Sequence, residues 1–110
     1  MAQSLQRNPR RPQVNWTVTI RAKAKADLRH AHDWYEEQRD GLGDEFLADH
    51  AEAFLRLESN PESFPIYYRG FRRVLTHRFP YKIFFRMVGQ EIIIFRILHG
   101  AQEHARELQP

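Results

Sequence analysis

The chain has 110 residues, of which 42% are hydrophobic and 13% aromatic, a composition that suits one packed domain with one core rather than a disordered segment. Its formal net charge is +3 and its sequence pI about 9.6, a balance that permits an anionic partner without demanding one. The absence of cysteine excludes disulfides, thiolate metal sites and thiol catalysis, and no apolar run approaches the roughly 18 residues of a membrane span.

Residues 1–13 are polar and rich in Arg, Gln and Pro, without the apolar core of a signal peptide. They read as a frayed N-terminal arm on a soluble, cytoplasmic protein, and Arg7, Arg10 and Arg11 read as solvated. From Val14, Trp16, Val18 and Ile20 alternate with Asn15, Thr17 and Thr19, the period of a half-buried strand. The period then changes. Ala24, Leu28, Ala31, Trp34 and Tyr35 fall on one side of a helix over about 23–38, which Gly41 and Gly43 stop and reverse. A second helix over about 44–59 has a broad apolar face of Phe46, Leu47, His50, Phe54 and Leu57, begun by Leu42, and ends at Asn60-Pro61. Two helices with so short a link should pack as an antiparallel hairpin.

Residues 63–70 read as a connector containing Pro65. After it the period returns to two, with strands expected over about 71–77, 81–88 and 91–99. Phe79-Pro80 separates the first pair and Gly89-Gln90 turns the second. The run from Ile92 to Leu98 is nearly all apolar, as in a central strand covered on both faces. Residues 101–110 read as a short polar tail with at most a helical turn. The expected fold is α+β in two layers: an antiparallel sheet packed on an N-terminal αα-hairpin, in the order β-α-α-β-β-β, forming one domain over 14–100.

Charge is sorted along the chain. Between Asp33 and Glu62 lie Asp33, Glu36, Glu37, Asp40, Asp44, Glu45, Asp49, Glu52, Glu58 and Glu62 against only Arg39 and Arg56. From Tyr67 to Arg86 the balance reverses: Arg69, Arg72, Arg73, Arg78, Lys82 and Arg86 are interleaved with aromatics, and no acid falls among them. Six cations exceed what protecting a sheet edge requires, so Arg72, Arg73, Arg78, Lys82 and Arg86 are the candidate contacts for a partner. Period two puts Arg73 and Leu75 on one side of their strand and Arg72 and Val74 on the other; Lys82, Phe84 and Arg86 oppose Ile83 and Phe85. His50, within an apolar helix face, reads as a satisfied core histidine. His30 and His32 are two apart on a helix and cannot chelate one ion from one face. No metal site and no cofactor is expected.

The segments Asp33-Trp34-Tyr35-Glu36-Glu37-Gln38-Arg39, Gly41-Leu42-Gly43-Asp44-Glu45-Phe46 and Asn60-Pro61-Glu62-Ser63-Phe64-Pro65, with Tyr68 to Arg73, Arg78 to Ile83 and Leu98-His99-Gly100, resemble the ParE/RelE superfamily of small bacterial toxins. Their order and spacing lie closer to the ParE branch. The resemblance spans about 16–100. It implies the toxin of a type II toxin–antitoxin module, a hetero-oligomer with a cognate antitoxin, and, as the target of ParE-like members, DNA gyrase. RelE-like members cut mRNA on the ribosome with clustered Lys, Arg and Tyr. Carried over, two of those basic positions fall on Arg73 and Lys82. A third falls on Leu75, the arginine after the last strand on Gln102, and the tail tyrosine near Leu108. Two cations can hold a phosphate but lack an acid–base pair, so a metal-independent RNA endonuclease built on Arg73, Lys82 and His99 is the alternative reading. Gln102-Glu103-His104, where relatives carry Arg-Asp-Pro, leaves a third: a binding protein of the toxin fold that has lost its toxicity.

Overall fold

The computed structural model describes residues 16–100 and Leu108. Strand β1 (Thr17–Ile20) leads into α1 (Ala22–Gln38) and α2 (Leu42–Ser59). A 3-10 turn (Pro61–Ser63) follows, then β2 (Ile66–Tyr68), β3 (Phe71–Leu75), β4 (Tyr81–Val88) and β5 (Glu91–His99). The helical hairpin and the last two strands match their expected ranges closely. The predicted arm, 1–13, and most of the predicted tail, 101–107 and 109–110, lie outside the described residues.

The sheet differs from expectation in two ways. Its order is β1-β5-β4-β3-β2, and β1 runs parallel to β5, with Thr17 opposite Glu91 and Ile20 opposite Ile94. The sheet is therefore mixed rather than antiparallel. The cause is topological: β1 pairs with the last strand and not with a sequence neighbour, so everything between them acts as one crossover. The second difference is β2, which lies within the expected connector. It pairs antiparallel with β3 through Arg69 and Gly70, whose φ angles of 48° and 82° form the tight reversal. Three residues are too few to show a period in sequence.

One face of the sheet carries the helices. Val74, Ile83, Phe85, Ile92, Ile94 and Ile97 form the main core there with Ala24, Ala53 and Leu57 of the helices. The side chains obey the alternation until β5, where Phe84 is opposite Arg96 and Phe85 opposite Ile94. The unmatched Phe95 is a β-bulge. It shifts the pattern by one, so Ile97 rather than Arg96 follows Ile92 and Ile94 into the core, and Arg96 comes under α1. There Asp27 accepts from Arg96 Nε at 2.8 Å and Nη2 at 2.9 Å, and from the Ile97 N–H at 2.9 Å.

The hairpin joint is closely built. Gly41 has φ 87°, a conformation that favours glycine. A Cβ on Gly43 would lie 2.7 Å from the backbone oxygen of His32, so only glycine lets the helices approach this closely. Glu36 of α1 accepts the N–H groups of Gly41 at 2.8 Å and Gly43 at 2.9 Å, capping α2 from outside it. These two donors hold the Glu36 carboxyl below its ordinary pKa.

Near this joint, α2 also fastens the loop between β3 and β4. Asp49 accepts the N–H groups of Arg78 at 3.0 Å and Phe79 at 2.9 Å. Phe46, Phe79 and Ala31 are buried together there, with Tyr35 and Tyr81 packed against them. β3 stops at Leu75 and not at His77 because the Thr76 hydroxyl turns the chain by bonding to the Phe79 carbonyl.

Candidate partner-binding surface

The sheet face away from the helices carries a second, smaller cluster: Phe71, Phe84, Leu98 and Leu108, with Tyr68 and Phe95 packed against it. Leu108 belongs to the tail that reads as polar in sequence, yet it is 1% exposed. This residue therefore covers part of the face that the sequence leaves open.

Among the described residues, four arginines lie over aromatic rings on this face, Arg69 the most distant at 5.5 Å from Tyr68. The guanidinium carbon of Arg73 is 3.9 Å from the ring centre of Tyr67. That of Arg86 is 4.4 Å from Phe71, and that of Arg21 is 4.1 Å from Phe95. Stacking of this kind steadies the planar group while leaving its edge N–H donors to point outward. Arg86 also donates to the Arg69 carbonyl at 2.7 Å. Lys82 sits opposite Leu98 and beside Leu75 in the register. Among the described residues, no carboxylate forms an ion pair with Arg21, Arg73, Lys82 or Arg86. Tyr67 and Leu75 are exposed apolar neighbours of these cations.

The five expected contacts are thus divided. Arg73, Lys82 and Arg86 share the open face. Arg72 faces the helical side, where its Nη1 donates to the carbonyls of Phe64 at 2.6 Å and Glu62 at 3.2 Å; it fastens the connector to β3. Arg78 stands in the β3–β4 loop and pairs with Glu45 at 2.6 Å. That bond, with Arg39 second, holds the Glu45 carboxyl below its ordinary pKa. Period two had already put Arg72 opposite Arg73; which side the helices cover was the missing fact. Arg21 lies outside the run of cations in the sequence. Its only signal there is its place at the end of a strand, one residue beyond the alternation.

The alternative catalytic set is not brought together. His99 pairs with Tyr81 in the register, and the two rings lie 5.3 Å apart on the helical side, across the sheet from Arg73 and Lys82. Tyr81 is no substitute base, because burial first, and Tyr35 second, push its pKa up to about 12. His50 is buried, with Nδ1 3.1 Å from the Phe46 carbonyl, and burial lowers its pKa. It is a core histidine, as its position in the helix suggests, but only half satisfied: among the described residues its Nε2 has no hydrogen-bond partner.

No helix among the described residues is long and apolar enough to cross a membrane. No curated protein matches the chain in sequence. Among solved structures, the chain is similar to one described as the chromosomal ParDE TA system from P. aeruginosa, with 26% identity and a TM-score of 0.69, covering 76% of this chain and 95% of the other. It also shares its fold with the toxin–antitoxin complex RelBE2 from Mycobacterium tuberculosis, at 23% identity and a TM-score of 0.54, covering 76% and 96%. The family model for the ParE toxin of the type II toxin–antitoxin system parDE matches residues 18–104. With the αα-hairpin and all of the sheet but Thr17 inside that match, the chain belongs to the ParE toxin family of type II toxin–antitoxin systems.

Proposed function

We propose that this toxin acts by docking onto a macromolecular target, with DNA gyrase the first candidate, and that a cognate antitoxin neutralises it by covering the open face of the sheet. The observation that carries this reading is the set of Arg21, Arg73 and Arg86, stacked on rings and without acid partners among the described residues. Such groups offer oriented donors to carboxylates at little ordering cost. An antitoxin segment that fits them carries acids spaced to meet the guanidinium edges, and apolar side chains to cover Tyr67 and Leu75. Apolar burial supplies the affinity, and charge sets rate and register.

Bond cleavage is the weaker reading, since His99, the acid–base candidate of that set, lies across the sheet from Arg73 and Lys82. Induced expression without the antitoxin tests the choice. The expected result is growth arrest with relaxed plasmid supercoiling and the DNA-damage response, relieved by co-expression of the antitoxin. Arrest with codon-position cleavage of mRNA and normal supercoiling would instead establish the nuclease. No arrest at all would establish the reading in which the toxin fold is kept as a binding protein.

A further inference from the structure

At the joint of the hairpin, His32, Glu36 and Asp44 each offer one ligand atom, and these atoms lie within 4.8 Å of one another. Sequence reasoning about histidines on a single helix does not find this group, because Asp44 comes from α2. We propose that these three residues bind a borderline divalent cation of the Zn2+ type.

His32 is the one nitrogen ligand of the group. Its Nδ1 is 2.9 Å from an oxygen of Asp33. A carboxylate only accepts, so Nδ1 carries a proton, and the ring in its neutral form presents the lone pair of Nε2. Asp33 first and Asp44 after it raise the ring's pKa, so a proton on Nε2 competes with a cation for this position. That lone pair faces an Asp44 oxygen at 3.4 Å. Two acceptors opposed in this way repel unless a positive charge, either a ring proton or a metal ion, lies between them. The separation is also the one that two ligands acquire when each is about 2.0–2.1 Å from a tetrahedral ion. Asp33 then does what a carboxylate behind a metal-bound histidine does: it fixes the tautomer and raises the basicity of the ligating nitrogen.

Glu36 supplies the third ligand. The N–H groups of Gly41 and Gly43 fix its two oxygens, and each oxygen keeps a further lone pair. The positive end of α2 is near, but its charge of roughly one half is outweighed by Asp33, Glu36 and Asp44. One imidazole with carboxylates selects Zn2+, Ni2+ or Co2+ over Mg2+ or Ca2+. Three protein ligands leave one position of a tetrahedron for water or for a side chain of a bound protein. Because the ligands come from both helices, occupancy ties α1 to α2.

Calorimetric titration of the tag-free full chain with Zn2+ at pH 7.5, in a non-chelating buffer, tests this. The expected result is one site of micromolar affinity that Asp44→Asn and His32→Gln each weaken by about tenfold or more. Zn2+ should also raise the melting temperature of the unmodified chain and not that of Asp44→Asn, an exposed and near-isosteric change that leaves the fold in place. A protonated His32 bridging Asp33 and Asp44 would also satisfy the contacts. In that case no Zn2+ binds below millimolar concentration, and the proposal is overturned. Equal affinity in the unmodified chain and both variants would overturn it as well.

Discussion

Asp27→Ala lowers the unfolding free energy by about 3–5 kcal/mol, a large share of the roughly 5–15 kcal/mol that a domain possesses. The reason lies in what stays behind. Asp27 and Arg96 are side chains only 14% and 15% exposed, and the carboxylate accepts from the guanidinium and from the Ile97 N–H together. Without it, a nearly buried guanidinium loses its carboxylate and the Ile97 N–H loses its acceptor. The pair also anchors α1 at the bulge of β5, so the helix loses its fixed point on the sheet. Urea denaturation monitored by circular dichroism measures the loss. Asp27→Leu combined with Arg96→Met should recover most of it, because a well-packed apolar pair replaces a buried ion pair at little cost. If Asp27→Ala shifts stability by less than about 1 kcal/mol, as an exposed pair would, this account of the anchor is wrong.

Phe46→Ala is expected to cost a similar amount, about 3–5 kcal/mol, through cavity formation rather than charge. The ring is fully buried, with centres 4.2 Å from His50, 5.1 Å from Tyr81, 5.3 Å from Tyr35 and 5.6 Å from Phe79. It is the hub that joins α1, α2 and the β3–β4 loop. Its removal should therefore act locally as well: the Phe79 N–H, held by Asp49, should exchange with solvent much faster than the β5 amides. Leu55→Ala on the same helix is the control. Leu55 is 65% exposed, and its removal should stay within about 0.5 kcal/mol. Equal effects at positions 46 and 55 would show that the aromatic hub does not hold the layers together.

How much of this was legible in the sequence depends on the distance over which each feature is decided. Both helices, β4 and β5 are long enough for their periodicity to show, and their limits followed from Gly41, Pro61 and Gly89. β2 has only Ile66–Tyr68, and its pairing is set by the Arg69-Gly70 reversal rather than by a pattern. The parallel union of β1 with β5 joins residues more than seventy positions apart, which no local signal encodes. The bulge at Phe95 is invisible for another reason: in a run of isoleucine and phenylalanine, a shift by one leaves the apolar pattern unchanged.

The basic surface was legible to the same extent. Alternation separated Arg73 from Arg72 and Lys82 from Ile83. It could not say that Arg72 would bond the carbonyls of Glu62 and Phe64, or that Arg78 would reach Glu45. Those contacts join the acidic and basic segments to each other, so part of the charge sorting stabilises the fold. The cations that remain on the open face, with Arg21 added, are the part offered to a partner. Leu108, seated on Phe71, Phe84 and Leu98, was hidden in a tail whose composition reads as solvated.

The central claim is that Arg73, Lys82 and Arg86 together receive the antitoxin, and its affinity for a triple variant tests this most directly. Arg73→Gln, Lys82→Gln and Arg86→Gln keep part of each aliphatic stem and remove the charge, together with the guanidinium stacking on Tyr67 and Phe71 and the Arg86 bond to the Arg69 carbonyl. At physiological salt, affinity should fall at least about 100-fold, or about 2.7 kcal/mol. The unmodified complex should weaken as salt rises, and the variant complex should respond much less. A folded variant that binds its antitoxin as tightly as the unmodified toxin, with the same salt dependence, would contradict the account.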